Sequence, residues 1–262
     1  MMQYNLLGST SISVSRIGLG TVKFGRNQKI NYPHEFNLPT DKEILELLDC
    51  AQLLGINFLD TAPAYGTSEE RLGKLLKNQR DHWILCTKVG EEFVKGVSYF
   101  DFSSSFTKKS IERSLKRLNT NYLDLVLVHS NGEDKKIIEE TDIFETLNNL
   151  KQAGLIRAFG MSTKTVEGGI LAVDYSDVVM VAYNSAQTDE KAVIAHAHQN
   201  KKGVLIKKAL ASGHLEKLSG DDPVRSALQF ILKEPGVNSI VLGTLNKEHL
   251  VHDVHCAFGA VH

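Results

Sequence analysis

One arrangement recurs along the chain and limits what it can fold into: an amphipathic stretch at helical spacing, a glycine that stops it, and a short apolar run ending in polar residues. Ile44, Leu47, Leu48 and Ala51 share a helical face ahead of Gly55, and Ile56-Asn57-Phe58-Leu59 follows. Ile143, Leu147, Leu150 and Ala153 precede Gly154, with an apolar run over 155–161 behind it. Gly203 leads into Val204-Leu205-Ile206, and Gly236 into the run 237–242. Runs over 83–87, 122–128 and 177–182 complete the alternation, and 16–21 begins it. Eight candidate strands result, each followed by a stretch able to form a helix.

Helix starts are marked by Thr40-Asp41-Lys42-Glu43 and Thr67-Ser68-Glu69-Glu70, both readable as capping boxes, and by Asp222-Pro223, which sets a proline at the first helical position. Strands joined through helices require right-handed parallel crossovers. Eight such units in 262 residues, close to the ~250 usual for the fold, predict an α/β chain closed into a (β/α)8 TIM barrel, with 1–262 as a single domain. Residues 4–7 and 12–14, around Gly8-Ser9-Thr10, predict a β-hairpin that caps the barrel bottom. The rival is an open Rossmann sheet. It needs a glycine-rich turn running into a helix, whereas the segment from Gly18 to Gly25 has only part of that spacing.

Charge excludes some partners. Lysine and arginine number 30 against 31 acids, a net charge of −1, so no general field draws the chain to nucleic acid or to an anionic membrane. No apolar run approaches the ~20 residues of a membrane span, and the N-terminus lacks a basic segment leading into an apolar one. The expected location is cytoplasmic. Cys50, Cys86 and Cys256, an odd number at wide spacing, suit a reducing compartment and are expected to be buried thiols.

In a barrel, chemistry sits where strands end, at the C-terminal face. The second strand ends at Asp60, the third at Lys88 and the fourth at His129, while Tyr65 lies in the short loop after Asp60. Singly, Asp60 could cap a helix, Lys88 could snorkel, His129 could rim the core and Tyr65 could be a loop aromatic. Together they form a proton-transfer device. A free phenol has a pKa of about 10, and an ammonium ~4 Å away is worth about 4 kcal/mol, enough to lower it by up to about three units. Asp60 would keep Lys88 charged, and His129 could bond a substrate oxygen from the other side.

These residues lie in segments that resemble the aldo-keto reductase family. The stretch from Tyr4 to Thr21, through Tyr4-Asn5-Leu6-Leu7-Gly8-Ser9-Thr10, resembles its opening hairpin and first strand. Gly55-Ile56-Asn57-Phe58-Leu59-Asp60-Thr61-Ala62, with Tyr65-Gly66 and Glu69-Glu70-Arg71-Leu72-Gly73, resembles its main signature. Ser110-Ile111-Glu112-Arg113-Ser114-Leu115-Lys116-Arg117-Leu118, running into Tyr122 through His129, resembles the next. The resemblance implies a (β/α)8 barrel whose catalytic set is Asp60, Tyr65, Lys88 and His129. It implies hydride transfer from a reduced nicotinamide to an aldehyde or ketone, with Tyr65 as proton donor, NADPH as the usual cofactor and NADH as the alternative.

By the same resemblance, Gly20, Thr21 and Asp60 would border the ribose and nicotinamide, and Ser162 would hold the carboxamide with Thr163 in place of an asparagine. Met180 stands where many members have a glutamine, and Lys207 where several have a stacking tyrosine. Leu210, Gly243, Thr244, Lys247, His249 and Asp253 complete the expected cofactor contacts. The helix opening near Asn246 would offer amides to an anion, although Asn246 could merely cap it and Lys247 be a solvated charge.

Phe93, Tyr99, Phe100 and Phe102, after the third strand, suit either a cleft wall or a self-packed surface loop. The chain stops soon after the last helix pattern, so by the same resemblance the long terminal loop that often closes the substrate pocket in the family is expected to be short or absent, leaving an open pocket with broad substrate selection. His252, His255 and Cys256, or His196 and His198, do not supply a full ligand set at convincing spacing, and no metal is expected. The partner is a small aldehyde or ketone, with the chain a monomer or weak homo-oligomer. Two other functions stay open: a barrel lyase using Lys88 as a Schiff-base nucleophile, and a nicotinamide-binding regulatory subunit with little turnover.

Overall fold

Every one of the eight apolar runs becomes a strand of one closed sheet in the computed structural model, which describes residues 1–218 and 220–259. In chain order the strands are β1 (Tyr4–Leu6), β2 (Ser13–Ser15), β3 (Ile17–Gly20), β4 (Phe58–Asp60), β5 (Ile84–Val89), β6 (Glu91–Val94), β7 (Val97–Phe100), β8 (Leu123–His129), β9 (Ile156–Ser162), β10 (Val178–Ala182), β11 (Gly203–Lys207) and β12 (Ser239–Leu242). The barrel runs β3-β4-β5-β8-β9-β10-β11-β12, all parallel, and closes where Ile240, Val241 and Leu242 pair with Ile17, Gly18 and Leu19. The open-sheet alternative is thereby excluded.

The helices are α1 (Val22–Gly25), α2 (Asp41–Leu53), α3 (Ser68–Leu75), α4 (Ser104–Arg117), α5 (Asp134–Glu140), α6 (Ile143–Gln152), α7 (Val166–Tyr175), α8 (Lys191–Gln199), α9 (Pro223–Leu232) and α10 (Lys247–Phe258). Thr40 forms the expected capping box with Glu43, and Pro223 opens α9 behind Asp222. The second box does not form. Thr67 precedes α3 at φ −88°, ψ 9°, outside the extended geometry that lets a hydroxyl reach back to the helix amides. Glu69 is instead buried, accepting from Thr87 Oγ1 at 2.7 Å, and Glu70 pairs with Arg117.

Two apolar layers hold the fold. One lies between sheet and helices and includes Leu47, Leu48, Leu72, Ile111, Leu147 and Leu228. The other fills the barrel itself, where Leu7, Ile12 and Val14 of the β1–β2 hairpin pack on Phe58, Cys86, Leu125, Leu127, Ala158, Val178, Met180 and Leu205. The hairpin is therefore the bottom plug that the sequence predicts. Cys86 and Cys256 are buried, but Cys50 is only partly so, one residue off the α2 face formed by Leu47, Leu48 and Ala51.

The aromatic segment after β5 is not a plain loop. β6 and β7 form an antiparallel hairpin with Val94 opposite Val97, turned through Lys95 and Gly96 at φ 49° and 82°. Among the described residues no helix is long and apolar enough to cross a membrane. The expectation about the chain's last residues falls on 260–262, outside the described residues.

Candidate active site

Parallel register brings the ends of β4, β5 and β8 to one mouth, so Asp60, Lys88 and His129 meet there. Tyr65 reaches it from a single 3-10 turn, Pro63–Tyr65. Gly66 ends that turn at φ 63°, where an added Cβ would lie 2.1 Å from Gly25 O, so only glycine fits. Below the turn, Thr21 Oγ1 contacts Ser68 Oγ at 2.8 Å and donates to Asp60 O at 3.0 Å, which ties the ends of β3 and β4 to α3.

Lys88 Nζ donates to Asp60 Oδ1 at 2.5 Å and to Thr61 O at 3.0 Å. Both partners are buried, at 1% and 4% exposure. The Tyr65 hydroxyl donates to Asp60 Oδ2 at 3.5 Å, and the ammonium lies 4.7 Å from the phenol ring centre. Burial alone would discharge Lys88, but Asp60 foremost, then Tyr65 and Cys86, hold its pKa above the ordinary lysine value. That charge is at odds with a free nucleophilic amine.

Tyr65 departs from the sequence expectation. Burial raises its pKa by more than Lys88 lowers it, and Asp60 adds to the rise. The desolvation of the phenolate, absent from a simple charge-pair argument, decides the sign, so the phenol keeps its proton at neutral pH.

His129 stands edge-on to Tyr65, with ring centres 6.3 Å apart at 87°. Its Nδ1 lies 2.7 Å from Glu91 Oε2 on β6, off the line of a good ring hydrogen bond. Burial lowers the imidazole pKa, Glu91 opposes, and the Lys88 and Lys207 charges lower it further. Burial would raise Glu91, yet His129 first, then Ser98 and Arg26, bring it down to about 2. Sequence reading missed Glu91, because only the β6–β7 hairpin turns it back toward the mouth.

The four residues line a cavity of about 1050 Å³. Gly20, Thr21, Ser162, Thr163, Met180, Lys207, Leu210, Gly243, Thr244, His249 and Asp253 also line it, together with Tyr32, Phe36 and Glu190, which the sequence did not single out. Lys247 is not among the lining residues; it donates to Glu46 Oε2 on α2 at 2.8 Å. Asn246 accepts from the amides of Glu248 and His249, so much of the anticipated anion site is capped by its own side chain.

None of Phe93, Tyr99, Phe100 and Phe102 lines the cavity. Phe93 lies under the Arg26 guanidinium and Phe100 stacks on Phe102, which is the surface-loop alternative. The aromatic wall comes instead from Tyr32 and Phe36, with Lys23 Nζ 3.9 Å from the Tyr32 ring centre. Of the metal candidates, His252 and Cys256 approach to 3.5 Å and Asp222 joins them at 3.8 Å from the sulfur. The Asp222 carboxylate is already engaged, capping α9 and accepting from Arg225 Nε at 3.3 Å.

The mouth of the barrel thus holds a buried Lys–Asp pair beneath a neutral phenol. Residues 16–224 match the model of the aldo/keto reductase family, and the chain belongs to that family. It is thus an oxidoreductase that uses a nicotinamide cofactor on small carbonyl compounds. The crystal structure of PA4992 from Pseudomonas aeruginosa superposes at a TM-score of 0.89 with 50% identity, covering 97% of this chain and 94% of that one. The oxidoreductase YqkF of Bacillus subtilis is 28% identical over 98% of this chain and 91% of its own length. The NADH-specific methylglyoxal reductase of Escherichia coli is 32% identical over 62% of this chain and 50% of its own length.

Proposed function

We propose that residues 1–262 act as one domain, reducing an aldehyde or ketone by hydride transfer with Tyr65 as proton donor, in the cytoplasm. The observation that carries this reading is the buried Lys88–Asp60 pair at 2.5 Å beneath a phenol that burial keeps protonated. A bound nicotinamide supplies the hydride. Tyr65 gives its proton to the carbonyl oxygen as negative charge develops there, and the Lys88 ammonium stabilises the phenolate left behind. Asp60 fixes the ammonium in place. His129 contacts the same oxygen from the opposite side, its ring set by Glu91.

Ser162, Thr163 and Lys207 are the residues suited to the carboxamide end, and Gly243, Thr244, His249 and Asp253 to the adenosine end. The cavity's polar floor and its continuity from Tyr65 to α10 fit a dinucleotide. NADPH is the usual cofactor of the family, but two observations favour NADH: Lys247 is committed to Glu46, and the acid Asp253 lines the cavity.

Fluorescence titration with NADPH and NADH, followed by single-turnover oxidation against 4-nitrobenzaldehyde, tests both points. Burst oxidation of the bound nucleotide supports the reductase. Tight binding with no turnover on any of a panel of small, aromatic and sugar aldehydes would favour the regulatory-subunit reading.

A further inference from the structure

Of the lysines that line the cavity, Lys88 and Lys207 lie on barrel strands, and only one of these two is neutralised. Lys88 has Asp60. Lys207, at the end of β11, donates to Ser162 Oγ at 2.9 Å and to Thr163 O at 2.6 Å, and among the described residues no carboxylate lies within ion-pair distance of it. The acid whose charge it feels most, Glu190, is engaged elsewhere, accepting from Ala182 N at 2.7 Å and Thr163 Oγ1 at 3.2 Å. Lys207 lines the same cavity as Tyr65; it feels the charge of Lys88, and its own charge is felt at His129. Because it donates to Ser162 Oγ, the serine's own proton is left for an acceptor in the cavity.

We infer that Lys207 selects the redox state of the bound nicotinamide: its unpaired ammonium favours the neutral reduced ring over the cationic oxidised one and so promotes release of the oxidised nucleotide. The inference rests on the nicotinamide reading above. The two forms of a nucleotide share adenosine and phosphates and differ by one charge on the ring, so a fixed cation near that ring discriminates between them where other contacts do not.

The same residue makes the selection dependent on pH. Burial pushes the amine down to about 8, with Lys208 and Lys88 adding to the fall and Glu190 and Asp134 opposing it. These groups face it from the start of α5, the segment before α8, β5 and its own loop, and His129 faces it from β8. His129 titrates below the ordinary histidine value and Lys88 is held charged, so neither changes between pH 7 and 9.

The test is the ratio of Kd for NADP+ to Kd for NADPH, with NAD+ and NADH in parallel, from pH 6.5 to 9.5 in the parent, Lys207→Met and Lys207→Arg. Ionisation of the 2′-phosphate is common to both forms and cancels. In the parent the ratio should fall by about tenfold as pH rises through the lysine's titration. Lys207→Met should hold the low value and Lys207→Arg the high value at every pH. A ratio equal in all three proteins and flat with pH overturns the inference while leaving the reductase reading intact. Failure of every nucleotide to bind overturns both.

Discussion

Glu91 Oε2 sits 2.7 Å from Nδ1 of His129, and the pair joins the β6–β7 hairpin to the end of β8. Burial and the two lysine charges lower the imidazole pKa, while Glu91 is the group that resists. Replacing Glu91 by Gln should therefore drop the His129 pKa further below its ordinary value. Imidazole NMR titration of parent and variant checks this; an unchanged midpoint would show that the carboxylate is not coupled to the ring.

Tyr65→Phe should bind nicotinamide nucleotide as the parent does and reduce carbonyls about 10²–10⁴-fold more slowly, the usual contribution of a positioned general acid. Single-turnover rates at saturating nucleotide provide the measurement. A variant as fast as the parent would remove Tyr65 from the reaction.

Asp60→Asn leaves the Lys88 ammonium buried without its partner, and such a loss costs about 3–5 kcal/mol. Adding Lys88→Met should recover part of that, since a neutral apolar side chain suits the vacated site better than a lone charge. Urea unfolding of the nucleotide-free single and double variants compares the two, and a double variant less stable than Asp60→Asn would contradict the pairing argument.

Asp253, on the inner face of α10, has its pKa raised to about 6, chiefly by burial, with His252 opposing. The unfolded carboxyl releases its proton near 3.8, so between that pH and about 6 the folded chain holds more protons. Stability must then fall as pH rises through this window. Above it the ionised group costs on the order of 2–3 kcal/mol. Asp253→Asn should flatten that part of the stability profile and raise the melting temperature at neutral pH, as scanning calorimetry across pH 4–7 would show.

Leu7, fully buried beneath the barrel, should cost about 2–5 kcal/mol when replaced by Ala. Chemical denaturation is the check. A near-neutral result would mean that the hairpin is a loose cover and not part of the core.

Most of the barrel was legible because glycine stops and apolar runs are local signals. Gly55 ahead of Phe58 and Gly154 ahead of Ile156 mark helix ends and strand starts without reference to the rest of the chain. That Asp60, Tyr65, Lys88 and His129 share one mouth followed from the rule that function gathers at strand ends. The β6–β7 hairpin was not read from the sequence, where the aromatic residues after the third strand suited a cleft wall and a self-packed surface loop equally. What sequence could not supply was pairing at long range. Lys247 is turned away from the cavity by Glu46, 201 positions earlier, and Glu91 acquires its role only through a fold-back onto β8. The sign of the Tyr65 shift needed the depth of burial, which no spacing reports.

The seam where β12 meets β3 closes the barrel only with the last strand of the sheet. Asp60, Tyr65, Lys88 and His129 all precede the fifth barrel strand, whereas Ser162, Lys207 and Gly243 come after it begins. A chain cut before Ser239 holds Asp60, Tyr65, Lys88 and His129 yet lacks the strand that joins both edges of the sheet. Without β12, the edges of β3 and β11 lack a strand partner and are open to pairing with other chains.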